Sequence, residues 1–119
     1  MAADFGLFVG FGSPVRGREQ NSAKVFNEAV ELWTRLQESG EIESWDAIFL
    51  EPHGGDLGGF FLLSGEREAI ARVRSSDDFL ALSMRAGLIV ENYGVVGAER
   101  GARVQTQMGN FLEAAGELG

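Results

Sequence analysis

The sequence predicts an α+β fold in which four strands form one antiparallel sheet and helices cover one of its faces. Four short segments rich in branched and aromatic residues are bounded by glycine or proline, which is typical of strands. The segments between and after them repeat their apolar residues at helical spacing. With 119 residues and a hydrophobic fraction of 45%, the chain has the size and composition of a single domain over residues 1–119.

The first strand is predicted over Phe5–Gly12 and ends at a turn formed by glycine, serine and proline. The first helix is predicted over Ser22–Glu38, where the apolar residues recur every three or four positions. These residues are Phe26, Val30, Trp33 and Leu36. Gly40 follows directly and supplies a helix stop.

The second and third strands are predicted over Glu41–Glu51 and Gly59–Ser64. Pro52 ends the second strand, and a glycine-rich loop over residues 53–58 joins it to the third. Two strands joined by such a short loop form a hairpin.

The second half of the chain is predicted to contain a short helix over Glu66–Arg74 and a second helical stretch from an N-cap at Ser76 to Arg85. The fourth strand is predicted over Leu88–Gly97. The chain then ends in an amphipathic helix, whose apolar residues lie at positions i, i+4, i+7, i+8 and i+11. These are Val104, Met108, Phe111, Leu112 and Ala115.

Both faces of the predicted sheet are apolar. In the first strand one face carries alternate large residues, and Phe8 lies among glycines on the other. The fourth strand is expected to divide its apolar residues in the same way, with Leu88, Val90 and Val96 on one side and Ile89, Tyr93 and Val95 on the other. Helices cover only one face, and the other would expose more apolar area than monomers usually tolerate. The sequence therefore favours a two-fold homodimer, and the alternative is a monomer whose C-terminal helix folds over the bare face.

The order βαββαβ is the ferredoxin-like plan, and nearly the whole chain resembles the dimeric α+β barrel superfamily in order and patterning. This superfamily includes antibiotic-biosynthesis monooxygenases, YCII-related proteins and small polyketide cyclases. Two blocks, GSPVRGRE at residues 12–19 and EPHGGDLGGFFLLSG at residues 51–65, resemble those of uncharacterised small bacterial proteins. The resemblance implies the fold and a homodimer. It implies no catalytic residue, because the superfamily has no common catalytic motif.

His53, the one histidine, is the first candidate for catalysis because Glu51 and Asp56 lie beside it in the sequence. A carboxylate near an imidazole fixes its tautomer and raises its basicity, as a general base requires. The alternative is a turn residue whose ring bonds the backbone of the hairpin. The three side chains offer metal donors but no second imidazole, so no metal is predicted.

Further candidates for ligand binding are spread along the chain. Tyr93, a second catalytic candidate, and Asn92 are polar residues in the apolar fourth strand, and Arg85 is an orienting group. Trp33 and Trp45 are candidates to line a pocket for a flat apolar ligand. The alternatives are that Tyr93 reaches solvent at the rim of the barrel and that the two tryptophans only fill the core.

Composition excludes several functions. A net charge of −8 and a pI near 4.6 repel nucleic acid and anionic membranes. The absence of cysteine excludes thiol chemistry and fits an acidic cytoplasmic protein. The glycine spacing fits no nucleotide-binding loop, so no cofactor is predicted. What remains is a cofactor-independent enzyme or binder of a small apolar, carbonyl-bearing molecule. The alternatives are a non-enzymatic protein-interaction module and a haem-binding protein that uses His53.

Overall fold

In a computed structural model that describes residues 3–119, the chain forms a four-stranded antiparallel sheet and four helices. The elements in chain order are β1 (Phe5–Phe11), α1 (Glu19–Glu38), β2 (Ser44–Phe49), β3 (Gly59–Gly65), α2 (Arg67–Ser75), α3 (Asp77–Gly87), β4 (Gly94–Glu99) and α4 (Ala102–Leu118). The strand order is β2-β3-β1-β4. The predicted α+β class and ferredoxin-like plan are therefore confirmed. Within residues 3–119, no helix has the length and apolarity that crossing a bilayer requires.

The fourth strand is shorter than the segment Leu88–Gly97 over which it was predicted. The prediction of a strand is wrong for the first half of this segment. Residues 88–93 leave α3 in tight turns, in which the amide of Val90 donates to the carbonyl of Ala86 at 3.0 Å. Asn92 then adopts a positive φ of 55°, which interrupts an extended chain. The expected alternation of side chains is consequently limited to β4 itself, where Val95 faces the helices and Val96 the open side.

The helix-facing side of the sheet carries the core. Leu7 and Val9 of β1 lie opposite Leu63 and Phe61 of β3, and all four are buried. On α1, Trp33 is completely buried against them. α2 and α3 complete the layer with buried residues that include Ile70, Val73, Phe79 and Leu82. The predicted N-cap at Ser76 is confirmed, because its hydroxyl oxygen accepts from the amide of Phe79 at 3.3 Å.

Within residues 3–119, no helix covers the opposite face of the sheet. By strand alternation it carries Phe8, Phe60, Leu62, Val96 and Ile48, and we call this set the open face. Phe8 and Phe60 stack on it with ring centroids 4.8 Å apart. α4 does not fold over the open face, since none of its residues is buried. The single chain therefore leaves an apolar sheet surface and an apolar helix in solvent.

Candidate functional site

A cavity of about 530 Å³ lies between the helix-facing side of the sheet and the helices α1 and α3. Its volume falls within the range of roughly 300–1,000 Å³ that is usual for small-molecule sites. Apolar side chains make up most of its wall, and α1 contributes more of the lining than any other element. The main apolar lining residues are Val9, Phe11, Val25, Phe26, Phe49, Phe61, Leu82 and Ile89.

Four phenylalanines form one side of the cavity. Phe26 of α1 lies 5.0 Å from Phe61 and 5.4 Å from Phe49, measured between ring centroids. Phe11 at the end of β1 lies 5.8 Å from Phe61. Phe49 is 71% exposed, so its ring belongs to the mouth, whereas Phe61 is buried. The wall is thus a continuous aromatic surface that runs from solvent to the core.

Trp33 lies in the wall next to Phe61, with ring centroids 5.7 Å apart. Within residues 3–119, the indole nitrogen of Trp33 is the one buried side-chain polar atom that has no hydrogen-bond partner. An unsatisfied buried donor costs about 1–3 kcal/mol. The described protein atoms leave this donor without a partner, and the nitrogen is buried behind the surface of the cavity.

Tyr93 supplies a polar group to the same wall. Its hydroxyl oxygen lies 2.8 Å from the hydroxyl oxygen of Ser83 on α3. Burial raises the pKa of the Tyr93 phenol, and the smaller effect of the Ser83 hydrogen bond acts in the opposite direction. The phenol is thus protonated at neutral pH. When Ser83 donates to its oxygen, the phenolic hydrogen is available to an acceptor in the cavity.

The mouth of the cavity is held together by close backbone contacts at Gly12. Its amide donates to the carbonyl of Glu91 at 2.7 Å, and the amide of Gly58 donates to the carbonyl of Phe11 at 2.8 Å. A Cβ atom at Gly12 would lie 2.7 Å from that Glu91 oxygen, which real Cβ atoms do not allow. Glycine is therefore required where the end of β1, the hairpin loop and the segment before β4 meet.

His53 lies in the exposed hairpin loop and is not part of the cavity wall. The amide of Gly55 donates to its Nδ1 at 3.2 Å, and its Nε2 lies 2.8 Å from the carbonyl oxygen of Leu57. Because Nδ1 is an acceptor here, Nε2 carries the hydrogen and donates to Leu57. Both ring nitrogens are engaged in the loop. This geometry favours the alternative of a turn residue and offers neither a general base nor a free nitrogen for haem.

The other predicted residues lie away from the cavity. Glu51 and Asp56 are exposed, and Asn92 is exposed in its positive-φ turn. Trp45 is half-buried and packs against the core from β2. Within residues 3–119, no group of three histidine, aspartate or glutamate side chains is arranged to hold a metal ion.

Arg85 bridges two helices. Its guanidinium donates two hydrogen bonds to the Glu28 carboxylate, at 2.8 and 3.0 Å, and so joins α3 to α1. It borders a smaller depression of about 210 Å³ on the outside of these helices, not the aromatic cavity. Of the predicted site residues, Tyr93 and Trp33 are the two that the fold brings into the cavity wall.

The four phenylalanines were not predicted as site residues, because their positions in the sequence fit strands and the core. A signal was present, because Phe11, Phe49 and Phe61 lie at strand positions that face the helices. Two of them, Phe11 and Phe49, are the last residues of their strands. Together with Phe26 of α1, these residues border the space that the sheet and the helix layer leave between them.

Comparison with known proteins gives matches at the level of structure. No protein-family model matches the chain, and no curated protein matches it significantly. A protein of unknown function from Nitrosomonas europaea is 17% identical, with a TM-score of 0.60 over 82% of this chain and 88% of that one. A dimeric protein of unknown function with a ferredoxin-like fold, from Bacteroides fragilis NCTC 9343, is 10% identical, with a TM-score of 0.57 over 80% of this chain and 95% of that one.

A candidate antibiotic biosynthesis monooxygenase from Caulobacter crescentus CB15 is 12% identical, with a TM-score of 0.56 over 83% of this chain and 92% of that one. Because the sequence identities are low, these structural similarities show a shared fold and do not show a shared activity. They confirm the predicted resemblance at the level of the fold: the chain has the ferredoxin-like α+β fold of these proteins.

Proposed function

We propose that this protein binds a small, mainly apolar, carbonyl-bearing molecule in the aromatic cavity. The observation that carries the proposal is the cavity itself, with a volume of about 530 Å³, a wall of phenylalanines and few polar groups. Small-molecule sites usually combine such an apolar wall with a small number of polar groups that fix the orientation of the ligand.

The aromatic wall favours a flat ligand. Rings that enter at Phe49 would stack against Phe26 and reach Phe61, since these centroids are separated by 5.0–5.4 Å. The neutral phenol of Tyr93, which also lines the cavity, would donate to the carbonyl oxygen while it accepts from Ser83. A hydrogen bond of this kind polarises the carbonyl, which serves binding as well as chemistry at the neighbouring carbon.

Tryptophan fluorescence tests this proposal with one change to the protein. The chain has two tryptophans, and Trp33 lies in the cavity wall whereas Trp45 does not. In a Trp45→Phe protein the emission comes from the cavity wall alone. Titration with 2-acetylnaphthalene, a flat ketone, is expected to quench this emission with a saturating curve.

A matched pair of variants separates binding in the cavity from binding elsewhere. Ala23 is exposed and lines the cavity, so Ala23→Phe places a ring in the mouth without disturbing the core. Ala71 is exposed on α2 away from the cavity and gives Ala71→Phe as the control. We expect the first variant to weaken ketone binding about tenfold or more and the second to leave it unchanged. Equal binding by both variants would contradict the proposal.

We also propose that the protein is a homodimer that pairs through the open face. Val96 is 56% exposed midway along the edge strand β4 and lies directly opposite Phe8 in the ladder. When a partner removes the apolar surface of such a face from water, each Å² buried stabilises the pair by about 25 cal/mol. Two-fold pairing of the same face is the commonest way to cover it.

Sedimentation velocity with two charge-introducing variants tests the pairing. Val96→Arg places a cation on the open face, and Leu80→Arg places the same charge on α3, where Leu80 is 46% exposed. The dimer is expected to dissociate with the first variant and to persist with the second. A wild-type protein that remains a 12.9 kDa species at all concentrations would refute the pairing.

A further inference from the structure

We infer that α4 is a dimerisation arm whose apolar side packs on a second copy of the chain. This inference rests on the proposed pairing through the open face and extends it. It assigns a partner to α4, which in the described part of the chain is the helix without a buried residue.

The apolar side of α4 is in solvent along its whole length. Val104, Met108, Phe111 and Leu112 are between 50% and 66% exposed, and they lie at positions i, i+4, i+7 and i+8 of one helix side. We call these four residues the α4 stripe. Large apolar side chains on one side of a helix normally mark a surface that is covered in the working assembly.

α4 also extends away from the rest of the molecule. The radius of gyration is 16.3 Å, and the longest dimension is 52 Å. A compact domain of this length has a radius of gyration of about 13.5 Å. The helix therefore has the shape of an arm rather than a layer of its own domain.

The base of the arm is fixed by polar contacts. The Glu99 carboxylate at the end of β4 accepts hydrogen bonds from Arg103 at 3.0 Å and from Gln107 at 3.3 Å, both on α4. It also accepts from Arg67 of α2 at 3.1 Å. Because three donors converge on one carboxylate, the direction of α4 is set before any partner arrives, and less freedom is lost on association.

The start of the arm is continuous with the open face. Arg100, two residues before α4, donates to the hydroxyl of Ser64. Ser64 lies on the same side of β3 as Phe60 and Leu62, so this contact joins the base of α4 to the edge of the open face. A copy that pairs with the open face therefore lies beside the arm as well.

The size of the interface favours a second copy as the partner. Four strands of six or seven residues present a footprint of about 380 Å², whereas stable interfaces bury roughly 800 Å² per partner. A helix of 17 residues adds a strip of about 250 Å². In a two-fold pair each copy buries its own α4 strip and an equal area of surface on which its partner's α4 packs. Added to the open face, these two areas bring the footprint to about 900 Å² per copy.

Two double variants with the same change of charge test the arm in the full chain. Phe111→Glu/Leu112→Glu places charges on the α4 stripe, and Thr106→Glu/Asn110→Glu places them on the opposite, exposed side of the helix. The first is expected to raise the dimer dissociation constant at least about a hundredfold, because two large side chains of each copy, four per dimer, lose their burial. The second is expected to leave the constant within about twofold of wild type.

A fluorescent label reports the contact directly. The chain has no cysteine, so Met108→Cys and Thr106→Cys each give one labelling site for an environment-sensitive dye. On dilution through the dissociation constant, the dye at position 108 is expected to shift to the red and the dye at 106 to stay constant.

The failures of the two proposals are distinguishable. If the protein dimerises but neither the stripe variant nor the dye at position 108 responds, the arm is refuted and the pairing through the open face stands. If the wild-type protein does not dimerise, both are refuted. Loss of the dimer in the stripe variant with a response at position 108 supports the arm.

Discussion

Replacing Tyr93 with phenylalanine removes one oxygen from the cavity wall and leaves a ring of the same shape. The proposed function requires this oxygen as a donor to the carbonyl of the ligand. A neutral hydrogen bond contributes about 0.5–1.5 kcal/mol net. The dissociation constant for a ketone should therefore rise about 2- to 13-fold in Tyr93→Phe.

Two ligands and one further variant isolate this effect. 2-Ethylnaphthalene has nearly the shape of 2-acetylnaphthalene but no carbonyl, so its affinity should be the same for wild-type and Tyr93→Phe proteins. Ser83→Ala removes the other half of the hydroxyl pair, whose oxygens lie 2.8 Å apart, but keeps the phenol. It should retain most of the preference for the ketone.

Isothermal titration calorimetry measures all of these affinities under one condition. Each single variant loses the same internal hydrogen bond, so both should be less stable to urea by about 1 kcal/mol. A common loss of stability therefore cannot explain a difference in ligand preference between them. If Tyr93→Phe binds the ketone as tightly as wild type does, the phenol does not donate to the carbonyl of the ligand. The proposed orientation of the ligand in the cavity would then be wrong.

Three further changes test the fold around the site. Ser76→Ala removes the N-cap of α3 and should lower the free energy of unfolding in urea by about 1 kcal/mol. Gly12→Ala forces a Cβ atom against a carbonyl oxygen and should lower the melting temperature by several degrees; Gly87→Ala meets open space and should not. The Arg103 hydrogen bond lowers the pKa of Glu99 below its ordinary value of 4.5, so the stabilisation by Glu99 is present above that pH and is lost as pH falls through the lowered pKa. The stability difference between wild type and Glu99→Gln should accordingly shrink below pH 4.5, and a difference that is constant with pH would contradict the role of this carboxylate.

The strands and the core could be predicted because they follow from local pattern. In β1, Leu7 and Val9 alternate with Phe8, and this period of two assigns each residue to its face without further information. Likewise Trp33 falls at helical spacing with its neighbours and is buried as the period requires. The error at Leu88–Gly97 arose where local pattern is ambiguous, because a short apolar run fits a strand and the last turn of a helix equally well. Here the backbone bond from Val90 to Ala86 selects the helical turn.

The candidate site was harder to predict because chemical character and position conflict. His53 has the most reactive side chain in the sequence, but the fold uses both of its ring nitrogens to hold a loop. Phe26 and Phe61 have no reactive group and are indistinguishable in sequence from core residues, although their rings form the cavity wall. A cavity is the space left between elements, so it depends on how far apart the layers lie, and this distance is not encoded in any short motif.

The glycines of β1 connect the cavity to the proposed dimer. Gly6 and Gly10 alternate with the buried Leu7 and Val9, so they lie on the open face. A Cβ atom at Gly10 would fall 2.6 Å from the ring of Phe8, which means that this ring lies flat along the strand. A flat apolar face suits packing of one sheet on another at a spacing of about 10 Å. The same alternation makes one side of β1 smooth and places on the other the side chains that border the cavity. The proposed association and the proposed ligand binding therefore use opposite faces of one sheet.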